Sequence, residues 1–219
     1  MTGGLPIDLI LFAMVAAFLV LRLRSVLGRR TGFERQPGET APGAGQAPVA
    51  PEAVPVAPPG PARRGVPDPR SPVGQALMRI RGVDAGFDPA AFLGGAEGAF
   101  RMIVEAFAAG DRITLRNLLS DDAYAGFEGE IARREQEGET QRTEIRAVHD
   151  MGIEAADLRG TLAEITVRIV SDQISLTTGR DGSILSGAEA VTEITDLWTF
   201  QRDLAVSDPT WKLVGTRPA

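Results

Sequence analysis

An α+β fold is predicted by an ordered change of hydrophobic period along the chain. Between 88 and 138, apolar residues recur every three or four positions, the spacing of a buried helical stripe. From 143 to 213 they alternate every second position, as on strands with one covered face. Helices followed by an antiparallel meander place the helices together on one face of a sheet. A third observation sets this part off from what precedes it: an apolar run near the N-terminus, then a proline-rich stretch. The expected division is a transmembrane anchor with a basic flank over 1–30, a disordered Pro/Ala/Gly-rich linker over 31–72 and a folded domain over 73–219. The domain is expected to be cone-like, with about three helices on a curved four-stranded antiparallel sheet, since strands this long must bend.

The run from Leu9 to Leu21 contains no polar residue, and Arg22, Arg24, Arg29 and Arg30 follow it. A helix from Leu5 to Leu21 is about 25 Å long at ~1.5 Å per residue. A hydrocarbon core of about 30 Å is then spanned if Arg22 snorkels and Leu23 sinks in. No basic residue precedes the run, which argues against a cleavable signal peptide. The positive-inside rule places the N-terminus outside and the domain in the cytoplasm, as a single-pass protein of the inner (plasma) membrane. Eleven of the 15 prolines then fall between Arg35 and Pro72. Such a stretch buries too little apolar area to offset chain ordering, so it reads as a tether spanning on the order of 35 Å as a flexible coil.

The elements of the domain follow in order. Val73, Leu77 and Ile80 share one side of a short amphipathic helix, with Arg79 and Arg81 beside them. This segment reads either as a membrane-surface or partner-binding helix or as an arm packed on the domain. Asp88 caps the next helix with Pro89 in its first turn, and Phe92, Ala96, Phe100, Ile103 and Phe107 form its buried stripe. Gly110 ends it, Asp111 caps a short helix through Leu118, and Ser120 caps a third with Asp121 and Asp122 at its positive end. In the first strand, Ile145, Ala147, His149, Met151, Ile153 and Ala155 are expected on one face, the one looking toward the helices. A turn at Arg159 and Gly160 leads to Ile165, Val167 and Ile169, and a loop over 179–187 to Ile194, Trp198, Phe200 and Leu204. A turn at Ser207, Asp208 and Pro209 precedes a last strand with Trp211 and Leu213.

Composition narrows the chemistry. The chain has no cysteine, which excludes disulfides, zinc fingers and thiol catalysis. A single histidine excludes the common multi-histidine metal sites, and no ligand cluster is evident, so neither metal nor cofactor is expected. Residues 1–87 carry 10 basic and 6 acidic residues, and residues 88–219 carry 13 and 23, balances of +4 and −10 that sum to −6. So acidic a domain argues against nucleic acid as a partner and restricts anionic-lipid contact to local patches. His149 among apolar neighbours reads as a core histidine before it reads as a catalytic base. Asp121 and Asp122 diverge on a helix and do not form a shared-proton dyad. Gly94, Gly95 and Gly98 lie within a helix pattern and form no phosphate loop. The aromatic residues stand out instead. Phe100, Ile103, Phe107, His149, Trp198, Phe200 and Trp211 are the candidate lining of a pocket or partner site, with plain core packing as the other reading. Arg22, Arg24, Arg29, Arg30, Val73, Leu77 and Ile80 are the candidate membrane-surface contacts.

The run Phe92-Leu-Gly-Gly-Ala-Glu-Gly-Ala-Phe100, with Ile103, Ala106-Phe107, Gly110-Asp111 and Leu118-Leu-Ser120, resembles the Tim44-like domain. Ala163-Glu-Ile-Thr-Val167, Asp196-Leu-Trp-Thr-Phe200 with Arg202-Asp203, and Asp208-Pro-Thr-Trp-Lys-Leu-Val214 resemble it in the same order. That domain belongs to the subunit tethering the motor of the mitochondrial inner-membrane translocase, and mitochondrial ribosomal membrane-docking proteins share it. The resemblance implies a cone-shaped fold related to nuclear transport factor two, no catalysis, and adaptor work beside an inner membrane, often with lipid contact. In the mitochondrial proteins a charged helical segment precedes the domain; here an apolar run and a proline tether stand in its place. Lys212 is the sole lysine amid many alanines, glycines and arginines, as in a high-GC bacterium.

The expected function is a membrane-anchored, non-enzymatic scaffold or adaptor in membrane-protein biogenesis, translocation or assembly. A protein partner is expected, with anionic lipid as a second. The alternative is a domain that binds lipid or a small apolar ligand in its cone, and an enzyme built on His149 is the third reading.

Overall fold

The computed structural model describes residues 62–219. The expected anchor, with Arg22, Arg24, Arg29 and Arg30, and most of the linker lie outside the described residues. Among the described residues, no helix is long and apolar enough to cross a membrane.

Local sequence accounts for each helix. Helix α1 (Pro72–Val83) starts at Ser71, whose hydroxyl accepts from Gly74 N–H at 3.0 Å, with Pro72 in the first turn. Asp88 accepts from Ala91 N–H at 2.7 Å to open α2 (Pro89–Ala109). Gly110 closes it at φ 72°, with Asp111 N–H donating to Ala106 O at 2.8 Å in a Schellman closure. Asp111 then caps α3 (Arg112–Leu118), and Ser120 caps α4 (Asp121–Glu137), which Gly138 ends at φ 69°.

The sheet has the order β1-β2-β3-β4-β5, from β1 (Arg63–Gly65), β2 (Thr140–Arg159), β3 (Leu162–Thr178), β4 (Ile184–Asp203) and β5 (Lys212–Pro218). Neighbours pair antiparallel except β1, which runs parallel to β2 with Arg63 opposite Asp150 and Gly65 opposite Gly152. The described residues thus hold four helices and a five-stranded mixed sheet, where about three helices and four antiparallel strands were expected. The added strand, Arg63–Gly65, lies in the stretch assigned to the linker, and its Arg-Arg-Gly sequence carries no alternation by which to recognise it.

Helices α1 and α2 pack on β2, and α4 on β5. The core joins the α2 stripe (Phe92, Ala96, Phe100, Ile103) to the inward residues of the sheet, including Ala163, Ile165, Val167 and Ile169 of β3 and Trp198 and Phe200 of β4. Burying side chains of this size is worth roughly 1.5–3 kcal/mol each, which is what holds the helical layer to the sheet.

Strand β2 departs from the predicted alternation. Its register against β3 shifts between Ile145 and Ala147, between Val148 and Asp150, and between Ile153 and Ala155. Three β-bulges therefore add Arg146, His149 and Glu154 to the strand, bending it and raising its twist. The inward face consists of Ile145, Val148, Met151, Ile153, Ala156 and Leu158, opposite the inward residues of β3. His149 is not on it.

Candidate functional site

Three surfaces carry the domain's distinctive chemistry. The first is the aromatic interior. Phe100 meets Trp198 edge-on with centroids 4.9 Å apart, and Phe92 contacts Phe200 at 6.0 Å and Trp211 at 4.9 Å. Phe87 closes the row against Trp211 at 5.8 Å, and Phe107 pairs with Phe127 at 5.0 Å. Phe100, Ile103 and Phe200 are essentially inaccessible and Trp198 is buried; Phe107 and Trp211 are partly buried at the border of the core. Edge-to-face rings fill the volume that a ligand would need.

Two clefts of about 160 Å³ each open at its margins. Both are small beside the roughly 300 Å³ at which ligand pockets begin. Asp84, Phe87, Phe92, Arg202 and Trp211 line one. There the Arg202 guanidinium donates to Asp84 at 2.9 Å, tying the end of α1 to β4. Gly110, Arg134 and Gln141 line the other. Arg134 is buried, donates to Phe107 O at 2.7 Å and Gln141 Oε1 at 2.6 Å, and lies 4.6 Å from the Phe107 ring centroid. Burial pulls this guanidinium below its ordinary value. Its contact with a carbonyl at the C-terminus of α2 makes it a helix-end partner.

The second surface is the outward side of α1. Leu77 and Ile80, expected at a membrane surface, point into the core, and Val73 is half-buried against it. The reason is that α1 packs on β2 with this side; at its start Gly74 lies so near the Asp68–Pro69 backbone of the preceding turn that a Cβ would fall 2.0 Å from Asp68 O. The side left to solvent carries Met78, Arg79, Arg81 and Val83.

The third surface is the sheet face away from the helices. Gln201 donates to Glu164 at 2.7 Å, Thr166 and Thr199 share a hydrogen bond at 2.9 Å, and Arg168 pairs with Asp150. His149, turned to this side, sits with Nε2 2.8 Å from Asp172 Oδ2, and Glu193 completes a group whose ligand atoms lie within 4.8 Å of one another. The expectation that no ligand cluster exists is corrected here. Bulges and long-range register bring together residues that the sequence holds far apart. His149 likewise leaves the proposed aromatic lining, because the bulge re-aims it. Of that lining, Phe100, Ile103, Trp198 and Phe200 come together in the core. Neither the Asp84–Arg202 link nor the buried Arg134 has a local sequence signal; Asp172 and Glu193 become visible only once β3 and β4 are placed in register.

The Tim44-like domain family model matches residues 73–218. No curated protein matches the chain. Among solved structures, the intermembrane space region of the chloroplast protein ARC6 aligns at 12% identity and TM-score 0.44, covering 57% of this chain and 95% of that one. A conserved protein from Planctomyces limnophilus DSM 3776 aligns at 16% identity and TM-score 0.35, covering 56% and 90%.

Proposed function

The chain belongs to the Tim44-like domain family, and on that premise we propose that it is a non-enzymatic scaffold holding this domain at the cytoplasmic surface of a bacterial inner membrane. Membership fits a membrane-associated scaffold or adaptor role in general. The finer reading joins three parts. The apolar run anchors the chain, the proline-rich stretch gives it reach, and the domain docks a protein of membrane-protein biogenesis, translocation or assembly.

The observation that carries this reading is the outward side of α1 and the segment leading into it. Between 62 and 83 there are five arginines and one acidic residue, Asp68, in a domain that is otherwise acidic. Arg63, Arg70, Arg79 and Arg81 are exposed beside Met78 and Val83, which are 56% and 52% accessible. A cationic, partly apolar surface at the end of the tether suits contact with anionic headgroups, at about 1 kcal/mol per basic residue near the surface. A ligand held inside the domain is the weaker alternative, because aromatic rings occupy the interior.

The test is in-cell photocrosslinking of the full chain, with the probe at Met78 and, as a control, at Ser183 in the β3–β4 loop. Adducts to lipid or to one discrete membrane protein are expected at Met78 and not at Ser183. Equal labelling at both positions, or a C-terminal reporter active only on the far side of the membrane, overturns the proposal.

A further inference from the structure

The group on the uncovered sheet face has a chemistry of its own. We propose that His149, Asp172 and Glu193 bind one divalent first-row transition-metal ion, with zinc as the reference ion. The three residues come from three adjacent strands, β2, β3 and β4, so the backbone ladder fixes their spacing. Asp172 and Glu193 stand directly opposite each other across β3 and β4. His149 is the extra residue between the pairs Val148–Ser171 and Asp150–Val170. An unbulged strand directs alternate side chains to opposite faces; the bulge puts the imidazole beside its neighbour Asp150, on the carboxylate side.

Two observations call for a cation. Like charges directly opposite on paired strands destabilise the sheet, and Asp172 and Glu193 form such a pair. The neighbouring arginines are engaged elsewhere, Arg168 with Asp150 and Arg146 with Glu144. Distances agree as well. Donors held at ~2.1 Å around a tetrahedral ion lie about 3.4 Å apart. Here His149 Nε2 and Asp172 Oδ2 are 2.8 Å apart and all three donors fall within 4.8 Å, so side-chain adjustments of about an ångström complete the geometry. One imidazole and two carboxylates form a donor set that zinc and its first-row neighbours accept. The His149 side chain is 44% accessible, so an ion can enter from solvent, and the fourth position stays open to water or to a donor from another molecule. The bound ion clips three strands together and stabilises the fold by mass action.

The experiment uses the full chain, stripped with chelator and titrated with Zn2+ by calorimetry and with Co2+ by visible absorption. One ion per chain is expected, with the intense bands of four- or five-coordinate Co2+ and a Tm that rises with Zn2+. H149A and D172N should abolish all three signals. E193Q, an isosteric change at an exposed position, should weaken affinity by at least about tenfold, since loss of even an outer partner has effects of that size. Unchanged affinity in E193Q together with H149A, or only the weak six-coordinate spectrum of hydrated Co2+ in the wild type, overturns the proposal. Should H149A unfold, E193Q decides alone, with its metal-free Tm as the control for folding.

Discussion

Strands β2 and β3 lie side by side over most of their length and differ in one respect. β3 keeps strict alternation: Ala163, Ile165, Val167, Ile169, Ser171 and Gln173 are all buried and the residues between them are not. β2 reaches the same partners with inward residues spaced by three, three, two, three and two, because Arg146, His149 and Glu154 are inserted as bulges. Each inserted residue is polar and ionisable, and His149 and Glu154 are exposed. β3 supplies an apolar row to the core over 163–173; β2, on which α1 and α2 pack, takes the bulges and sends its surplus residues outward. A strand that takes bulges keeps its pairing by breaking its period.

The largest effect separates the two strands directly. Deleting Thr166 from the regular part of β3 flips every residue on one side of the gap to the wrong face, and the domain should fail to fold by near-UV circular dichroism. Deleting His149 removes an unpaired residue and leaves each neighbouring pair in register, so a cooperative transition should persist. Equal damage from both deletions breaks the comparison. Next in size is the inward face itself. Phe100→Ala removes the ring set edge-on against Trp198 from a fully buried position and should cost about 3–5 kcal/mol in denaturant unfolding. Arg202→Ala leaves Asp84 without its partner in a site that is mostly but not fully buried; about 1–3 kcal/mol is expected, below the value for a wholly enclosed pair. On the outward face, Thr166→Val loses only the cross-strand bond to Thr199, roughly 0.2–1 kcal/mol. If Thr166→Val cost as much as Phe100→Ala, the two faces would not differ as described.

The same contrast explains what was legible in the sequence. Helix limits were readable because caps are local: Asp88, Asp111, Ser120, Gly110 and Gly138 act on neighbours a few residues away, whereas the Ser71 cap of α1 fell in the stretch assigned to the linker. The inward face of β3 was readable because its period is unbroken from Ala163 to Gln173. Three of the six residues expected on the inward face of β2, Ile145, Met151 and Ile153, are there; Ala147, His149 and Ala155 are displaced by the bulges. No residue type in β2 announces its bulges; their positions show only in its long-range register against β3. The group around His149 depends on that displacement and on the register of two further strands, which is long-range information. Arg63–Gly65 illustrates the same limit, being a strand only because Asp150–Gly152 offers an edge to it.

The smallest effect concerns the helical layer that both strands support, and it is read through pH. The Asp111 carboxyl is held below its ordinary value, first by the Thr114 hydroxyl, which donates to it at 2.6 Å, then by the N–H groups of Thr114 and Ile113. A folded-state value below the unfolded one means that the carboxylate stabilises the fold at pH above its unfolded value of about 4. That contribution is lost as the pH falls through the depressed folded value. Asp111→Asn keeps an oxygen that can cap the first turn of α3 and removes the charge together with the acceptor for the Thr114 hydroxyl. The urea midpoint of the variant should therefore lie below that of the wild type at pH 7, and the gap should narrow as the pH falls below about 4. A gap that stays constant as the pH falls would assign the loss to the missing Thr114 hydrogen bond; a gap that closes assigns the helix start to charge, as the bulges assign the outward face of β2 to polar side chains.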